Sequence, residues 1–537
     1  MPPFGGYEAK TCARAIHNKH DQTVPEPAYQ VPDDLQLLFD EGNRHEGRVF
    51  EAWGALPVSP VNLLRFNDDK AAHIEATLAA MRAATPVILG GRLPDDEVGG
   101  RTGKPDVLVA APTGGYHPGD VKNHKVLKAG AGARVSTLAN PSRDSATLIE
   151  RAVRHHEGDA LQLAHYWRML QACGFEASTA EGAIIGSDPE GQFFLTWYEL
   201  NAPTYATFSR SNGKTLRSPL DRYDHEHAFR RKVAAVAVRR TGSPDDPEPL
   251  VQPLGQKDCE QCAWAPVCVE ELPAGDLSRE LRGTLSVREY LALRAQGVST
   301  VEDLVGADLE ALLASEYADD TTNVHGRAAR LLKAHVSAQL ARDGDVLRVR
   351  PDAGTDLPLH DVEIDLDMEC DLDGKVYLWG ALVTTGGVSE FRAFADKNPG
   401  AEFDIARECS DWITTTYPHA VVYHYSHVEK TQMRRILGRD VTHYAGTAAD
   451  PDRWVDLLPI ARSCLESRSG LGLKVVATEA AGFKWRDEDP GGRNSQLWLE
   501  QARAGDDAAW NRIVAYNEDD VRATLAIRRF LRENCAP

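Results

Sequence analysis

The chain has 537 residues, of which 42% are hydrophobic and 26% are charged, and a chain of this length is expected to form two or three domains. No apolar run approaches the ~18 residues of a membrane-spanning helix, and the first residues lack the layout of a signal peptide, so we expect a cytoplasmic protein without a membrane partner. The net charge of −20 argues against a protein that coats nucleic acid through bulk electrostatics.

Four of the nine cysteines have a spacing that indicates metal or cluster binding. Cys259, Cys262 and Cys268 form a C-x2-C-x5-C motif, and Cys12 stands far from them near the N-terminus. Nine cysteines in a chain of this length are too sparse and too unevenly spaced for a disulfide scaffold. The cysteine spacing therefore fits either of two bound groups, Zn²⁺ or an iron–sulfur cluster.

Two short predicted strands, at 105–109 and 116–121, are joined by a Gly-Gly turn and carry two carboxylates and a lysine. Asp106 and Asp120 would project from neighbouring strands, where they could share a Mg²⁺ or Mn²⁺ ion. Lys122 follows Asp120 by two residues and therefore points to the same side of the strand. An ammonium there can position water and offset charge on a phosphate.

Two predicted helices supply three more candidate residues. His45 would add a nitrogen ligand from a helix. Gln162 and Tyr166 are four residues apart on a helix predicted around 161–170, so they share a face that could contact a DNA strand.

The ordered set of these residues resembles the PD-(D/E)xK nuclease domain of the RecB family, and its iron–sulfur branch in particular. The resemblance covers roughly residues 9–275 and implies a restriction-endonuclease-like α/β domain at 1–275 whose cluster joins its two ends, with Zn²⁺ as the alternative. Asp120 stands where many members have Glu. The implied roles are metal binding by His45, Asp106 and Asp120, catalysis by Asp106, Asp120 and Lys122, DNA contact by Gln162 and Tyr166, and 4Fe-4S ligation by Cys12, Cys259, Cys262 and Cys268.

Residues 276–350 are predicted to form a helical segment. Residues 293–304 fit a helix, a turn that contains Gly297, and a second helix capped by Ser299 or Thr300. This arrangement resembles a helix-hairpin-helix, a module that grips a nucleic-acid backbone through helix N-termini. A plain helical spacer is the alternative.

A strand predicted at 361–369 has an apolar face and an acidic face. Four adjacent like charges repel one another unless water or a cation neutralises them. An Asp-Gly turn leads from this strand into an apolar strand at 375–380, so we expect a central strand of a sheet rather than a solvated edge. The acidic residues are Glu363, Asp365, Asp367 and Glu369.

Further acidic residues follow in the last part of the chain. A buried strand predicted at 420–425 leads to Glu429 at a helix start, and the final helix presents Tyr516 and Asp520 on one face. With the acidic strand, this pattern resembles the RNase H-like DEDD exonucleases of the tyrosine subtype, in which carboxylates bind two metal ions about 4 Å apart.

That resemblance implies a 3′–5′ exonuclease domain at 355–537, with Tyr516 orienting the attacking water. Two positions depart from the family pattern, since Glu429 replaces the usual Asp and Tyr425 the usual Asn. The implied metal ligands are Asp367, Glu369, Glu429 and Asp520.

The order of the three segments along the chain resembles that of a bacterial family of two-domain RecB-like nucleases. It predicts an α/β protein with a nuclease fold at each end of a helical linker. The expected activity is Mg²⁺- or Mn²⁺-dependent hydrolysis of single-stranded DNA or DNA ends, in repair or recombination. Because no motor motif is present, a separate helicase is the expected partner. The alternatives are a non-catalytic DNA-end binding module and an RNA-directed exonuclease driven by the C-terminal domain.

Overall fold

The computed structural model describes residues 2–56, 60–187, 191–207, 215–438, 453–489 and 491–535. The chain divides into two compact units, and the helical segment is shared between them. The boundaries of the three predicted domains remain a prediction. The first unit comprises Met1–Ala274, Ser286–Gln296 and Glu310–Arg327, and the second comprises Gly275–Leu285, Gly297–Leu309 and Ala328–Pro537.

Within the described part of the first unit, eight strands form one mixed sheet in the order β1-β2-β5-β6-β11-β12-β8-β9, and β3-β4, β7-β10 and β13-β14 pair separately. In chain order the strands are β1 (Val61–Asn62), β2 (Val87–Leu89), β3 (Leu93–Asp96), β4 (Arg101–Gly103), β5 (Val107–Ala110), β6 (Tyr116–Val121), β7 (Leu127–Lys128), β8 (Ala133–Thr137), β9 (Thr147–Ile149), β10 (Ala152–Val153), β11 (Glu181–Ile185), β12 (Phe194–Glu199), β13 (Tyr205–Thr207) and β14 (Thr215–Arg217).

The predicted hairpin lies inside this sheet, with β5 antiparallel to β6 and β11 parallel to β6 on its other side. Gly114 and Gly115 form the turn with φ values of 96° and 78°. A Cβ atom on Gly115 would lie 2.1 Å from the carbonyl oxygen of Glu176, so both the conformation and the space require glycine. The turn therefore fixes the register that brings the ends of the two strands together.

The helices of this unit include α4, which packs against β3, β6 and β11. Its side chains are buried from Asp159 to Trp167, and Gly174 closes the helix in the left-handed conformation. The predicted helix around 161–170 is confirmed. The helices are α1 (Ala13–His20), α2 (Asp33–Gly54), α3 (Lys70–Arg82), α4 (Glu157–Cys173), α5 (Pro219–Ala237) and α6 (Ala265–Glu271).

From Leu277 to Asp343 the chain forms helices joined by turns, as predicted, whereas Leu347–Val349, within the predicted helical segment 276–350, forms a short strand. Gly297 has φ 79°, and Thr300 caps the following helix. The Thr300 hydroxyl accepts from the Asp303 N–H at 3.1 Å, and the Asp303 carboxylate accepts from the Thr300 N–H at 2.8 Å, so the predicted turn and cap are confirmed. The helices are α7 (Leu277–Glu280), α8 (Val287–Ala295), α9 (Val301–Val305), α10 (Leu309–Leu313), α11 (Glu316–Asp320) and α12 (Arg327–Asp343).

The second unit contains a five-stranded sheet, counted over its described residues, in the order β18-β17-β16-β19-β20. Strands β16 to β18 are antiparallel, and β16, β19 and β20 are parallel. The acidic strand β16 is therefore central, as predicted. The strands are β15 (Leu347–Val349), β16 (Val362–Cys370), β17 (Val376–Thr385), β18 (Val388–Ala395), β19 (Val421–His424), β20 (Trp454–Asp456) and β21 (Leu465–Ser467).

Helices cover both faces of this sheet. The apolar face of β16 joins a core with α13, while α18 packs across β16 and β17 on the acidic face. None of the described helices combines the length and apolar character that crossing a membrane requires. The helices are α13 (Glu402–Thr416), α14 (Val428–Leu437), α15 (Leu457–Cys464), α16 (Leu473–Glu479), α17 (Gly492–Arg503) and α18 (Asp507–Asn534).

Candidate active sites

Asp106 and Asp120 meet at the end of the β5–β6 hairpin. The Val121 N–H donates to Asp106 Oδ2 at 2.8 Å, and the two carboxyl groups are close enough to share a hydrogen bond. Burial, followed by the charge of Asp120, raises the pKa of Asp106 well above its ordinary value. A divalent cation at this position would relieve the repulsion between the carboxylates.

Lys122 forms an ion pair with Asp120, and its Nζ donates to Gln162 Oε1 at 3.1 Å. Burial lowers the pKa of Lys122, but Asp120, Tyr7 and Asp106 together outweigh it, so the pKa lies above the ordinary value. The Asp-x-Lys spacing thus brings carboxylate and ammonium together as predicted.

Gln162 and Tyr166 face this site from α4. Gln162 Nε2 lies 3.2 Å from the Tyr166 hydroxyl and 3.5 Å from Asp120 Oδ1. Their exposed fractions are only 2% and 5%, so both side chains are buried beside the carboxylates and Lys122. Direct contact with DNA remains a prediction for them.

His45 lies on α2, as predicted, and is buried. Its ring packs edge-on against Phe193 at 5.8 Å, and its role as a metal ligand stays a prediction. The next residue, Glu46, was missed by the sequence analysis, although its charge helps to raise the pKa of Asp106. Glu46 is a third carboxylate of the first site.

Lys10 is a second ammonium that the sequence analysis missed. Its Nζ lies 3.3 Å from both Gln162 Oε1 and the carbonyl oxygen of Gly158, and 4.3 Å from the centroid of the Tyr7 ring. Burial, together with the charge of Lys122, lowers the pKa of Lys10 to about 8. No local spacing marks this lysine, because the fold brings it to the site from the N-terminal segment.

The four cysteines of the predicted cluster line one cavity of about 200 Å³. All are free thiols and partly exposed, and burial raises the pKa of Cys268 to about 11. Three sulfurs lie near amide donors, with Gln256 Nε2 3.6 Å from Cys12 Sγ, the Gln256 N–H 3.3 Å from Cys259 Sγ, and Asn18 Nδ2 3.6 Å from Cys268 Sγ. Four convergent sulfurs with amide donors fit a thiolate-ligated cluster.

In the second unit the four carboxylates on β16 divide into two pairs. Arg528 on α18 forms a bidentate pair with Asp365, at 3.0 and 2.7 Å, and also binds Glu363. Arg532 donates to Glu363 at 2.8 Å. Arginines therefore neutralise the first half of the acidic face, and the second half faces a different environment.

Asp367, Glu369 and Asp520 form that second half. Each offers one carboxylate oxygen, and the three oxygens lie within 4.8 Å of one another. Burial, followed by the charge of Asp520, raises the pKa of Glu369 to about 8, and burial raises the pKa of Asp520 to about 6. Three crowded oxygen ligands of this kind are suited to Mg²⁺ or Mn²⁺.

Neutral hydrogen-bond donors hold the three carboxylates in place. Asn517 Nδ2 donates to Asp367 at 2.8 Å, Ser495 Oγ donates to Glu369 at 2.9 Å, and Trp485 Nε1 donates to Asp520 at 2.7 Å. Because these donors are neutral, they do not cancel the charge of the three carboxylates. A bound cation could do so.

Gly380, paired with Asp367 across β16 and β17, makes room for Asn517. A Cβ atom on Gly380 would lie 1.7 Å from Asn517 Oδ1. Asn517 follows Tyr516 directly on α18, but its partner could not be read from the sequence, because the contact depends on how the helix packs on the sheet.

Tyr516 is hydrogen-bonded to Asp520, one helical turn away, and is 4% exposed. Burial and the charge of Asp520 raise the pKa of its hydroxyl, so it is a neutral donor at physiological pH. Lys474 Nζ lies 5.1 Å from the centroid of its ring. The arrangement places Tyr516 beside the carboxylate group, as predicted.

Glu429 is the second residue of α14 and is buried, and its charge contributes to the raised pKa of Asp367. Its Oε2 lies 3.5 Å from His424 Nδ1. Ser426, between them, has φ 108°, a strained value for a residue with a side chain, and its N–H donates to Asp456 at 3.0 Å. Glu429 thus lies near Asp367 but outside the compact group of three.

The mixed sheet and its acidic group define an α/β domain with a candidate metal centre. Residues 364–532 match the family model of the RNase_H superfamily, so the second unit contains an RNase H-like domain, a class that is typically a metal-dependent nuclease. No curated protein and no solved structure matches the chain.

Proposed function

We propose that the chain is a metal-dependent nuclease with two catalytic centres that hydrolyse phosphodiester bonds of single-stranded DNA or of DNA ends, in repair or recombination. The observation that carries the proposal is the group of Asp367, Glu369 and Asp520, within 4.8 Å of one another inside a domain that matches the RNase_H superfamily. A helicase is the proposed partner.

In the C-terminal centre, these three residues would hold the first ion, and Glu429 would help to hold a second. When bound, the ions polarise the phosphate and lower the pKa of water. Asn517, Ser495 and Trp485 keep the carboxylates in a fixed orientation. The neutral hydroxyl of Tyr516 would orient the water for in-line attack.

In the N-terminal centre, Asp106, Asp120 and Glu46 would hold the ion, with His45 as a further ligand of the RecB-like pattern. Lys122 would stabilise negative charge that develops on the phosphate. Gln162 accepts hydrogen bonds from Lys122 and Lys10 and so keeps both ammonium groups at the site.

The four cysteines that share a cavity would hold a 4Fe-4S cluster, whose role is to join the N-terminal segment at Cys12 to residues 259–268. Cys12 lies two residues from Lys10, so this connection also anchors the segment that delivers Lys10 to the first site. A closed loop of this length removes conformational freedom from the unfolded chain.

Asp120→Asn is expected to slow cleavage by the N-terminal centre at least about 100-fold, because a metal ligand becomes neutral while its shape is kept. Labelled single-stranded DNA and RNA would be offered, with Mg²⁺ or Mn²⁺, to the wild type, Asp120→Asn, Asp367→Asn and the double variant. Each single variant should retain the products of the other centre, and the double variant none. A double variant that cleaves like the wild type would refute both centres. Cleavage of RNA alone would favour the RNA-directed alternative.

Cys262→Ala is expected to remove the cluster. The wild type, purified without oxygen, should hold about four iron ions per chain and absorb visible light, whereas the variant should lose both properties and melt at a lower temperature. Cys173→Ala is the matched control, because Cys173 is a partly buried thiol of the same unit whose Sγ donates to the Leu170 carbonyl. A colourless wild type that contains zinc would contradict the cluster.

A further inference from the structure

Three further side chains of the first unit converge outside the carboxylate site and outside the cysteine cavity. His124, His156 and Asp159 each offer one ligand atom, and these atoms lie within 4.8 Å of one another. His124 Nε2 lies 2.8 Å from Asp159 Oδ2, and the two imidazole rings are 4.3 Å apart at their centroids. Asp159 is buried, and the histidines are partly exposed.

The fold holds these residues on two neighbouring pieces of backbone. His124 lies in the loop after β6, where its carbonyl oxygen accepts from the Ser187 N–H at 3.0 Å. His156 immediately precedes α4 and its Nε2 is 3.3 Å from the Lys125 carbonyl, while Asp159 lies in the first helical turn. Because both pieces are tied to the central sheet, the fold itself brings the three side chains together.

We propose that His124, His156 and Asp159 bind a first-row transition-metal ion of the Zn²⁺ type, at a site separate from both nuclease centres. Two imidazoles and one carboxylate favour Zn²⁺ or Co²⁺ over Mg²⁺ and Ca²⁺, which prefer oxygen ligands. Atoms bound to a tetrahedral ion through bonds of ~2.0–2.1 Å lie ~3.3 Å apart, within the range of separations that this group spans.

Three protein ligands leave at least one coordination position for water or another oxygen ligand, as in open zinc sites. The exposed sides of the two histidines give that position access to solvent. The ion would also neutralise Asp159, whose charge acts on Lys10 of the first nuclease site.

Zinc binding by tag-free, cluster-containing protein tests the site, with metal counted after dialysis and affinity measured by calorimetry. His124→Ala and His156→Ala should each lose one equivalent of Zn²⁺, or bind it at least tenfold more weakly. The matched control is His155→Ala, which removes a neighbouring histidine that packs edge-on against Tyr198 at 5.9 Å. His156 makes no side-chain cap to α4, so its replacement leaves the helix start intact.

The expected pattern is loss of zinc in both site variants and retention in His155→Ala, with all four proteins folded and melting cooperatively without metal. Equal zinc binding by all four proteins would overturn the proposal, as would equal loss in the control. Retention of zinc by either site variant would also overturn it. The amount of bound zinc is measured without a cleavage assay, so this test does not depend on whether either nuclease centre is active.

Discussion

Asp367→Asn is expected to lower cleavage by the C-terminal centre at least about 100-fold and, in the absence of metal, to raise the melting temperature of the protein by roughly 2–4 °C. Activity falls because one of the three converging ligands becomes neutral. Stability rises because Asp367, Glu369 and Asp520 repel one another when no cation is bound. The amide can still accept the hydrogen bond from Asn517, so the local geometry is kept.

The pH dependence of stability follows from the same repulsion. The folded protein holds protons on these carboxyls above their ordinary pKa, to about 8 for Glu369 and about 6 for Asp520. Between pH 5 and 8 the folded state therefore binds more protons than the unfolded state, and stability falls as pH rises. The melting temperature of the metal-free wild type should drop over this range, and that of Asp367→Asn should drop less.

Melting curves with and without Mn²⁺ separate this effect from a general change in stability. Mn²⁺ should stabilise the wild type at pH 8 more than it stabilises Asp367→Asn, because the variant has lost a ligand of the C-terminal centre. If Asp367→Asn melts below the wild type without metal, or gains as much stability from Mn²⁺, these carboxylates do not form a metal centre.

Much of the C-terminal centre could be predicted from the sequence because its signals are local. The alternation along β16 placed Asp367 and Glu369 on one face, and the spacing on α18 placed Tyr516 and Asp520 on one side of a helix. A sheet can hold an acidic strand between two apolar strands only if the charges of the acidic strand are compensated. The structure meets that condition.

Partners that are distant in sequence could not be predicted in this way. Lys10 reaches Gln162 from the N-terminal segment, and the charge of Glu46 reaches Asp106 from α2. The compensation of Glu363 by Arg528 is an intermediate case, because Arg528 lies about two helical turns after Asp520. That spacing could have indicated that part of the acidic face binds arginine and not metal.

Asp365→Asn is expected to have the opposite effect on stability to Asp367→Asn, although the two carboxylates are two residues apart on the same strand face. Arg528 is fully buried and makes its bidentate pair with Asp365. Asp365→Asn leaves the buried Arg528 with only part of its charge compensated. Because Glu363 still pairs with Arg528, the expected loss in the free energy of unfolding is about 3 kcal/mol. The melting temperature should fall by roughly 6–12 °C.

Comparison of the two variants distinguishes the structural pair from the metal centre. Asp365→Asn should retain Mn²⁺ stabilisation and, at a temperature where it is folded, cleavage close to that of the wild type, because Asp365 is bound to Arg528 and not to the ion. Stabilisation of the fold by Asp365→Asn, or loss of Mn²⁺ binding with the fold intact, would show that the acidic strand is not divided in this way. The division of the β16 carboxylates into two pairs bears on the stability of the fold. Burial of four uncompensated carboxylates on one strand would destabilise the folded state strongly. Because Arg528 forms salt bridges with two of them, the other two can converge with Asp520 at a modest cost in folding free energy.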